Sequence, residues 1–281
     1  MQPKRMLRLF RLPIHIFWRL IILFKVNKQL IFEMVNREIS ERYAGQFLGV
    51  FWALFHPIFL ISLYIFVFSV VFKLKVGGTV DMPLDYTTYL LSGIVAWLSI
   101  QEGLIKSPTI FVTNASLVKQ TIFPKEVLIF KSILTCLIPQ FVSLIVLITY
   151  VIFSHGSPPL TYFLLPVIVS VQFVAMCGIA FFLSSIATFV RDIKDFVQLF
   201  ALSGIYLMPI FYLPDSVPSL FRPLLYLNPF SYIIWVYQDA LYFGSFVHPF
   251  AWLVTLLMTI FCITFGYRIF QKLSPLFGNV L

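Results

Sequence analysis

The chain has 281 residues, of which 60% are hydrophobic, 18% aromatic and only 11% charged, with a formal net charge of +9 and a mean hydropathy of +0.96. A soluble domain carries about 25% charged residues, so these totals exclude an ordinary water-soluble fold, and several apolar runs reach the roughly 20 residues that cross a bilayer. The positive balance therefore reads as Lys and Arg flanking membrane spans, and no nucleic-acid partner is expected; Cys136, Cys177 and Cys262 sit inside apolar runs with neither metal-ligand spacing nor a disulfide framework.

Lipid offers the backbone no hydrogen-bond partners, so the spans must be helices or a closed barrel, and long apolar runs without a period of two select helices. The chain opens with Lys4, Arg5, Arg8 and Arg11, followed by an apolar stretch over residues 12–24 that Arg19 interrupts. It lacks the unbroken apolar region and cleavage site of a signal peptide and reads as an amphipathic surface segment that favours anionic lipid. Residues 36–57 begin charged, with Arg37, Glu38, Glu41 and Arg42, and turn apolar from Phe47 onward. This predicts a helix on the membrane surface that bends at Tyr43-Ala44-Gly45 into a first span over about residues 47–72. The Gly45-x-x-x-Gly49 spacing fits either a helix-packing motif or flexibility at that bend.

A polar loop with Lys73, Lys75, Gly77-Gly78 and Asp81 leads to a second span over about residues 87–105, where Glu102 and Lys106 are spaced for an i,i+4 ion pair. A third span covers about residues 127–153, with Lys131 placed to snorkel toward the surface of Lys125. A fourth covers about residues 161–190 and ends in the charged connector Arg191, Asp192, Lys194 and Asp195. A fifth covers about residues 196–213. Residues 214–248 are apolar but broken by Pro218, Pro223, Pro229 and Gly244; they read as two short helices, 216–227 and 230–243, dipping into one leaflet as a re-entrant pair. A last span covers about residues 249–270. The expected fold is all-α and polytopic, with six transmembrane helices in residues 47–281 and an amphipathic interface helix in residues 1–46. Six crossings leave all but Lys73, Lys75 and Arg222 of the 20 Lys and Arg residues on one side, which predicts cytoplasmic termini.

The chemistry present is that of a passage rather than of a catalyst. No glycine opens a G-x-x-x-x-G-K-[ST] loop, so the chain cannot bind ATP in the P-loop way. There is no HExxH, no Cys/His cluster and no Asp-x-Asp, and no cofactor is expected. Glu102 and Asp239 do not form the proton relay of an ion-coupled transporter. Phe47, Phe51, Phe55 and Phe59 recur every four residues beside Trp52, along one slowly turning helix face. Such rings stack on sugar faces, and they equally suit lipid contact or helix packing. Charged elements at residues 36–43, 107–124 and 191–195 fall on one side; they suit a surface that a motor would push, or plain topogenic charge.

Four stretches carry a resemblance to a known family: Arg42-Tyr43 with Leu48-Gly49, Trp52 and Pro57; Asn114-Ala115, Leu117 and Lys119 followed by Phe123-Pro124-Lys125-Glu126; Arg191-Asp192-Ile193-Lys194 with Pro209-Ile210-Phe211-Tyr212; and Leu227-Asn228-Pro229. Together they resemble the membrane subunit of polysaccharide-exporting ATP-binding-cassette transporters, which move O-antigen, capsule or teichoic-acid chains. The resemblance implies a homodimer around one pore, two copies of a separate ATPase subunit and a lipid-linked glycan as cargo. It places Arg37, Glu38, Arg42 and Tyr43 at the ATPase interface. It also makes residues 107–124, with Asn114, Leu117, Lys119 and Phe123, the coupling loop, and Arg191 and Asp192 a further contact. It makes residues 214–248, with Arg222, Asn228, Pro229, Tyr232 and Asp239, the outer gate. The expected pathway runs along the first and fifth spans, with Phe51, Trp52, Phe55, Phe59, Tyr206, Phe211 and Tyr212. An ATP-driven permease for a small drug or lipid and a motor-free flippase or channel are the alternatives. The resemblance assigns nothing to residues 1–28.

Overall fold

The computed structural model describes residues 13–72, 83–120 and 123–280. The basic residues Lys4, Arg5, Arg8 and Arg11, the loop with Lys73, Lys75, Gly77, Gly78 and Asp81, and positions 121–122 of the expected coupling loop lie outside the described residues. Every regular element among the described residues is a helix: α1 Pro13–Val26, α2 Lys28–Arg42, α3 Trp52–Ile65, α4 Tyr86–Lys106, α5 Ile110–Thr113, α6 Ala115–Val118, α7 Glu126–His155, α8 Leu165–Ala187, α9 Ile193–Leu207, α10 Arg222–Leu227, α11 Pro229–Gln238, α12 Pro249–Leu273 and α13 Phe277–Val280. Adjoining 3-10 and π turns lengthen several of them.

Two termini show how local sequence sets these elements. Asp85 is extended at the start of α4, and its carboxylate accepts the Tyr150 and His155 side chains of α7 at 2.7 and 2.9 Å. Asn228 caps α11 by accepting the Phe230 amide at 3.1 Å, with Pro229 in the first turn where its missing N–H costs nothing.

Among the described residues, five helical runs are long and apolar enough to cross a membrane: Gly49–Phe72, Tyr86–Thr113, Glu126–His155, Leu160–Ala187 and Pro249–Leu276. The expected count of six is therefore wrong. The predicted fifth span is α9, whose 15 residues rise about 22 Å, short of the roughly 30 Å hydrocarbon core. Pro209 is the cause. The residue before a proline is driven out of the helical region, and Met208 is extended at φ −93°, ψ 155°.

The expected re-entrant helix pair is also absent. Residues 214–227 hold a three-residue 3-10 turn and the six-residue α10, too interrupted by Pro214, Pro218 and Pro223 to form a limb. Residues 229–243 form one helix, α11 and its π turn, and it is buried in the bundle rather than exposed in a leaflet. Phe230 at its start meets Trp97 of α4 and Phe200 of α9, both at 5.9 Å between ring centres.

α4 is the most enclosed of the long helices and forms the axis of the bundle. Gly204 of α9 lies against its Trp97, so closely that a Cβ there would overlap the indole. α8 and α12 approach through Gly178 and Gly266; a Cβ on Gly266 would overlap the Gly178 carbonyl oxygen. Small residues at such crossings let backbones close in where lipid supplies no hydrophobic drive. One polar triad sits inside the bundle. Gln140 of α7 and Gln172 of α8 exchange amide hydrogen bonds at 3.0 and 3.1 Å, and the Tyr237 hydroxyl of α11 bonds both. Each group in it is satisfied, as burial requires.

The Gly178–Gly266 contact yields a direct test. Gly266→Val forces two helix backbones apart, so its thermal midpoint in detergent should fall, consistent with overpacking costs of about 1–3 kcal/mol or more. A Gly278→Val control, where nothing lies within 4 Å, should leave the midpoint unchanged.

Candidate functional site

The site is built where the surface helix meets the ends of the long helices. α2 buries Ile31 and Val35 and packs the half-buried Leu30, Met34 and Ile39 against the core. Ion pairs complete the attachment. Glu38 receives Lys106 from the end of α4 on one carboxylate oxygen and Lys131 from the first turns of α7 on the other, the latter at 2.9 Å. Arg42, one turn further along α2, pairs with Glu102 of α4 at 2.8 Å. The i,i+4 pair expected between Glu102 and Lys106 does not form, because α2 supplies each of them with a partner of opposite charge. Burial pushes the Glu38 carboxyl up, but the two ammonium groups outweigh burial and hold it below the ordinary carboxylate range.

Lys131 is the residue whose role the sequence understated. Read as a snorkelling side chain, it is in fact buried and bridges Glu38 to the Asn114 side-chain oxygen at 3.4 Å. Asn114 also donates to the Ile110 carbonyl at 2.8 Å, fixing the turn between α5 and α6. The surface helix and the loop after α4 are thus joined through one ammonium group. Leu117 packs against the core, while Lys119 is exposed. Phe123, just outside the gap in the described residues, is half-buried.

Arg191 and Asp192 lie exposed in the turn before α9. Aromatic contacts bring this turn to the same end: Phe277 of α13 lies 4.9 Å from Phe111 of α5 and 6.2 Å from Phe189. Lys125 donates to the Ser274 carbonyl at 2.9 Å and sits over the Phe277 ring. No motif points to Phe277 or Ser274, since the tail SPLFGNVL holds no charged residue and only a short Ser-Pro turn. Arg37 remains on the surface, paired locally with Glu41 at 2.6 Å.

Between α2 and the long helices, residues 43–48 make a tight turn. Gly45 and Gly49 have φ of +77° and +51°, a region that side chains rarely enter. A Cβ on either would meet nothing within 4 Å, so the two glycines shape the bend and do not mark a packing seam. Behind the turn is a cavity of about 510 Å³ lined by Arg42, Tyr43, Trp52, His56, Glu102 and Gln140 among others. It is the place where the α2 ion pair, the first aromatics of α3 and the buried glutamine triad meet.

The long helix of α3 is largely uncovered by the rest of the chain. Phe51 is 72% exposed, and Trp52, Phe55 and Phe59 form a run of rings with spacings of 5.4 and 5.9 Å. At the other end of the helix, Tyr64 meets Phe68, which lies 6.3 Å from Phe211, and Phe211 stacks on Tyr206. Tyr64 and Phe68 thus bring the far end of this helical run against Phe211 and Tyr206, while among the described residues no ring contact joins Phe59 to that second cluster. The Tyr212 hydroxyl is taken up by the Tyr206 carbonyl at 3.1 Å.

The residues expected at an outer gate are engaged internally. Arg222 donates to the Val217 and Asp215 carbonyls, Asn228 caps α11 after Pro229, and the Tyr232 hydroxyl donates to the Tyr226 carbonyl. Asp239 is fully buried and accepts from the His248 amide, the His248 ring and the Trp252 indole.

Residues 29–242 match the ABC-2 type transporter family. The chain belongs to that family of membrane permeases. Relatives of this ABC-2 permease include two proteins of Klebsiella pneumoniae named O-antigen export system permease protein. One is 26% identical over 270 residues and the other 25% over 263, each alignment covering 92% of this chain and 98% of the relative. A Myxococcus xanthus protein of the same name is 23% identical over 216 residues, 76% of this chain and 80% of its own length. The matched region runs from α2 through α11, so it contains the ion-paired surface helix, the loop at Asn114 and the aromatic series. The multi-pass membrane character expected from composition holds for the ABC-2 permease.

The lowered Glu38 carboxyl sets a pH dependence with a definite sign. Its contribution to α2 docking is complete above the ordinary carboxylate pKa of about 4.3 and is lost as pH falls through the lower folded value. Glu38→Gln should mimic the acid limit at neutral pH: hydrogen exchange of α2 amides should speed up, by a docking loss of about 1.5–3 kcal/mol typical of a charged hydrogen bond. Exchange of α4 amides near Trp97 should be unchanged.

Proposed function

We propose that the chain is the permease subunit of an exporter that moves a lipid-linked polysaccharide across the inner membrane, driven by a separate ATPase. The observation that carries this reading is the run of rings at the start of α3, Trp52, Phe55 and Phe59 beside the exposed Phe51, with a second aromatic cluster of Tyr64, Phe68, Phe211 and Tyr206 toward the end of the same helical run. The first run begins at the Arg42 ion pair and its cavity. Ring faces bind sugars without fixing register, which suits a chain that must slide. The names of the Klebsiella and Myxococcus relatives support glycan as the cargo over a small drug or lipid.

On this reading two copies of the chain pair along the uncovered surface of α3 and α9, and Phe51, Trp52, Phe55, Phe59, Tyr206, Phe211 and Tyr212 line the shared pathway. Two ATPase subunits dock at the end that carries Lys106, Lys125, Lys131 and Arg191. That end faces the cytoplasm, by the preference of Lys and Arg for that side. Residues 1–46 form the interface segment and residues 47–281 the membrane domain. Glu38, Arg42, Tyr43 and Arg37 on the surface helix, the loop with Asn114, Leu117, Lys119 and Phe123, and the Arg191-Asp192 turn receive the force of ATP closure. The stretch with Arg222, Asn228, Pro229, Tyr232 and Asp239 guards the outer mouth.

Two variants test the two halves of this reading. Phe51→Ala combined with Phe55→Ala should reduce surface glycan several-fold while the ATPase still copurifies; full export would sink the ring pathway. Arg42→Ala should leave insertion and ATP hydrolysis in place but lower export per ATP consumed, and unchanged coupling would remove α2 from the force path.

A further inference from the structure

α1 lies across α7, α8 and α12 with Ile16 and Leu20 buried beneath it. Between α8 and α12, under its Phe17, runs a groove of about 640 Å³. It shares Phe17, Val174 and Ile263 with a smaller cavity of about 210 Å³ that continues beneath α1 to Lys25. The combined space reaches from Pro166, near the end of α8 remote from the charged cluster, to an ammonium group at the rim.

The lining decides the chemistry of the occupant. The hydroxyls in the groove are already used by their own helices: Ser170 donates to the Pro166 carbonyl at 2.6 Å, Thr259 to Thr255 at 2.8 Å and Thr264 to Ile260 at 2.7 Å. Their donors are spent and the rest of the lining is apolar, so the groove takes hydrocarbon. The rim is different. α1 contains no Asp or Glu. Its Arg19 is occupied over the Tyr267 ring at 5.8 Å, whereas Lys25 is exposed and pairs with no carboxylate among the described residues. Trp18 stands 65% exposed on the same helix, a residue type enriched at headgroup depth. A cation at the rim of an apolar channel between helices has the charge and polarity profile of an anionic phospholipid's site.

We propose that this groove binds one anionic glycerophospholipid, with its phosphate on Lys25 and an acyl chain between α8 and α12. The site lies on a different face from α3 and α9 and stands apart from the export reading. The lipid would pin α1, and with it the start of α2, to the bundle.

The test uses the full chain in nanodiscs of phosphatidylglycerol or phosphatidylcholine, and lipid extraction after mild detergent purification. Wild type should retain about one phosphatidylglycerol per chain and melt higher in phosphatidylglycerol than in phosphatidylcholine. Lys25→Gln, a surface change that leaves the core alone, should lower retention about fivefold, the weight of one Lys near an anionic surface, and abolish the difference in melting. Val174→Trp, which fills the junction of the two cavities, should lose the lipid by a separate route, while Arg19→Gln should keep it. Equal retention of the two lipids by wild type, or retention by Lys25→Gln at the wild-type level, overturns the proposal. So does a polyprenyl lipid found in place of the phospholipid.

Discussion

The Glu38 carboxylate is the interaction on which the geometry of the charged end depends. Lys106 and Lys131 converge on it from two different long helices. Without it, two ammonium groups would face each other at the edge of a low-dielectric bundle, where like charges repel strongly. With it, α2, α4 and α7 become one unit, and through Lys131 the loop at Asn114 joins them. α2 packs Ile31 and Val35, with Leu30, Met34 and Ile39 beside them, on the bundle, and these charges together with the Arg42–Glu102 pair fix its charged end.

The interior solves a different problem. The chain leaves helical geometry at Met208 and runs non-helically through Tyr212 beside α4. Exposed to lipid, its carbonyls would be costly orphans. Side chains of neighbouring helices answer them instead: Tyr86 donates to the Phe211 carbonyl at 2.7 Å, Tyr89 to those of Pro209 and Tyr212 at 3.2 Å, and Gln238 to that of Pro209 at 2.7 Å. Pro209 breaks the helix, and the buried α11 is what makes the break tolerable. The same helix brings Tyr237 to the two glutamines and Asp239 to His248 and Trp252. A segment that looked too broken to cross the membrane thus serves as the polar spine of the bundle.

Much of the local structure was legible in the sequence, because it depends on short-range physics. Apolar run length marked the five long helices, the Pro-rich run marked residues 214–223 as broken, and the step from charge to apolarity near Gly45 marked the bend. The fifth predicted span fails because hydropathy over residues 196–213 carries no term for Pro209, which ends the helix at Leu207. The re-entrant pair failed because hydropathy alone does not separate a helix dipping into lipid from one enclosed by protein. Of the candidate site, the aromatic period of four was visible, but Phe68 was not distinguishable among 33 phenylalanines. Lys131 looked like any lysine near a membrane boundary.

What the sequence by itself determined was the class of solvent, the helical state of the spans, the clustering of cations and the bend near Gly45. Each follows from properties of neighbouring residues: hydropathy over one span, backbone freedom at one position, charge within one loop. Only the tertiary structure decided who pairs with whom. Glu102 and Lys106 are neighbours on one helix face, yet their partners are Arg42 and Glu38, 60 and 68 residues away. Spacing along a helix shows which contacts are possible at short range; it carries no term for a charge arriving from another helix. That arrival is governed by how α2 packs across the bundle, and packing is a property of the assembled chain.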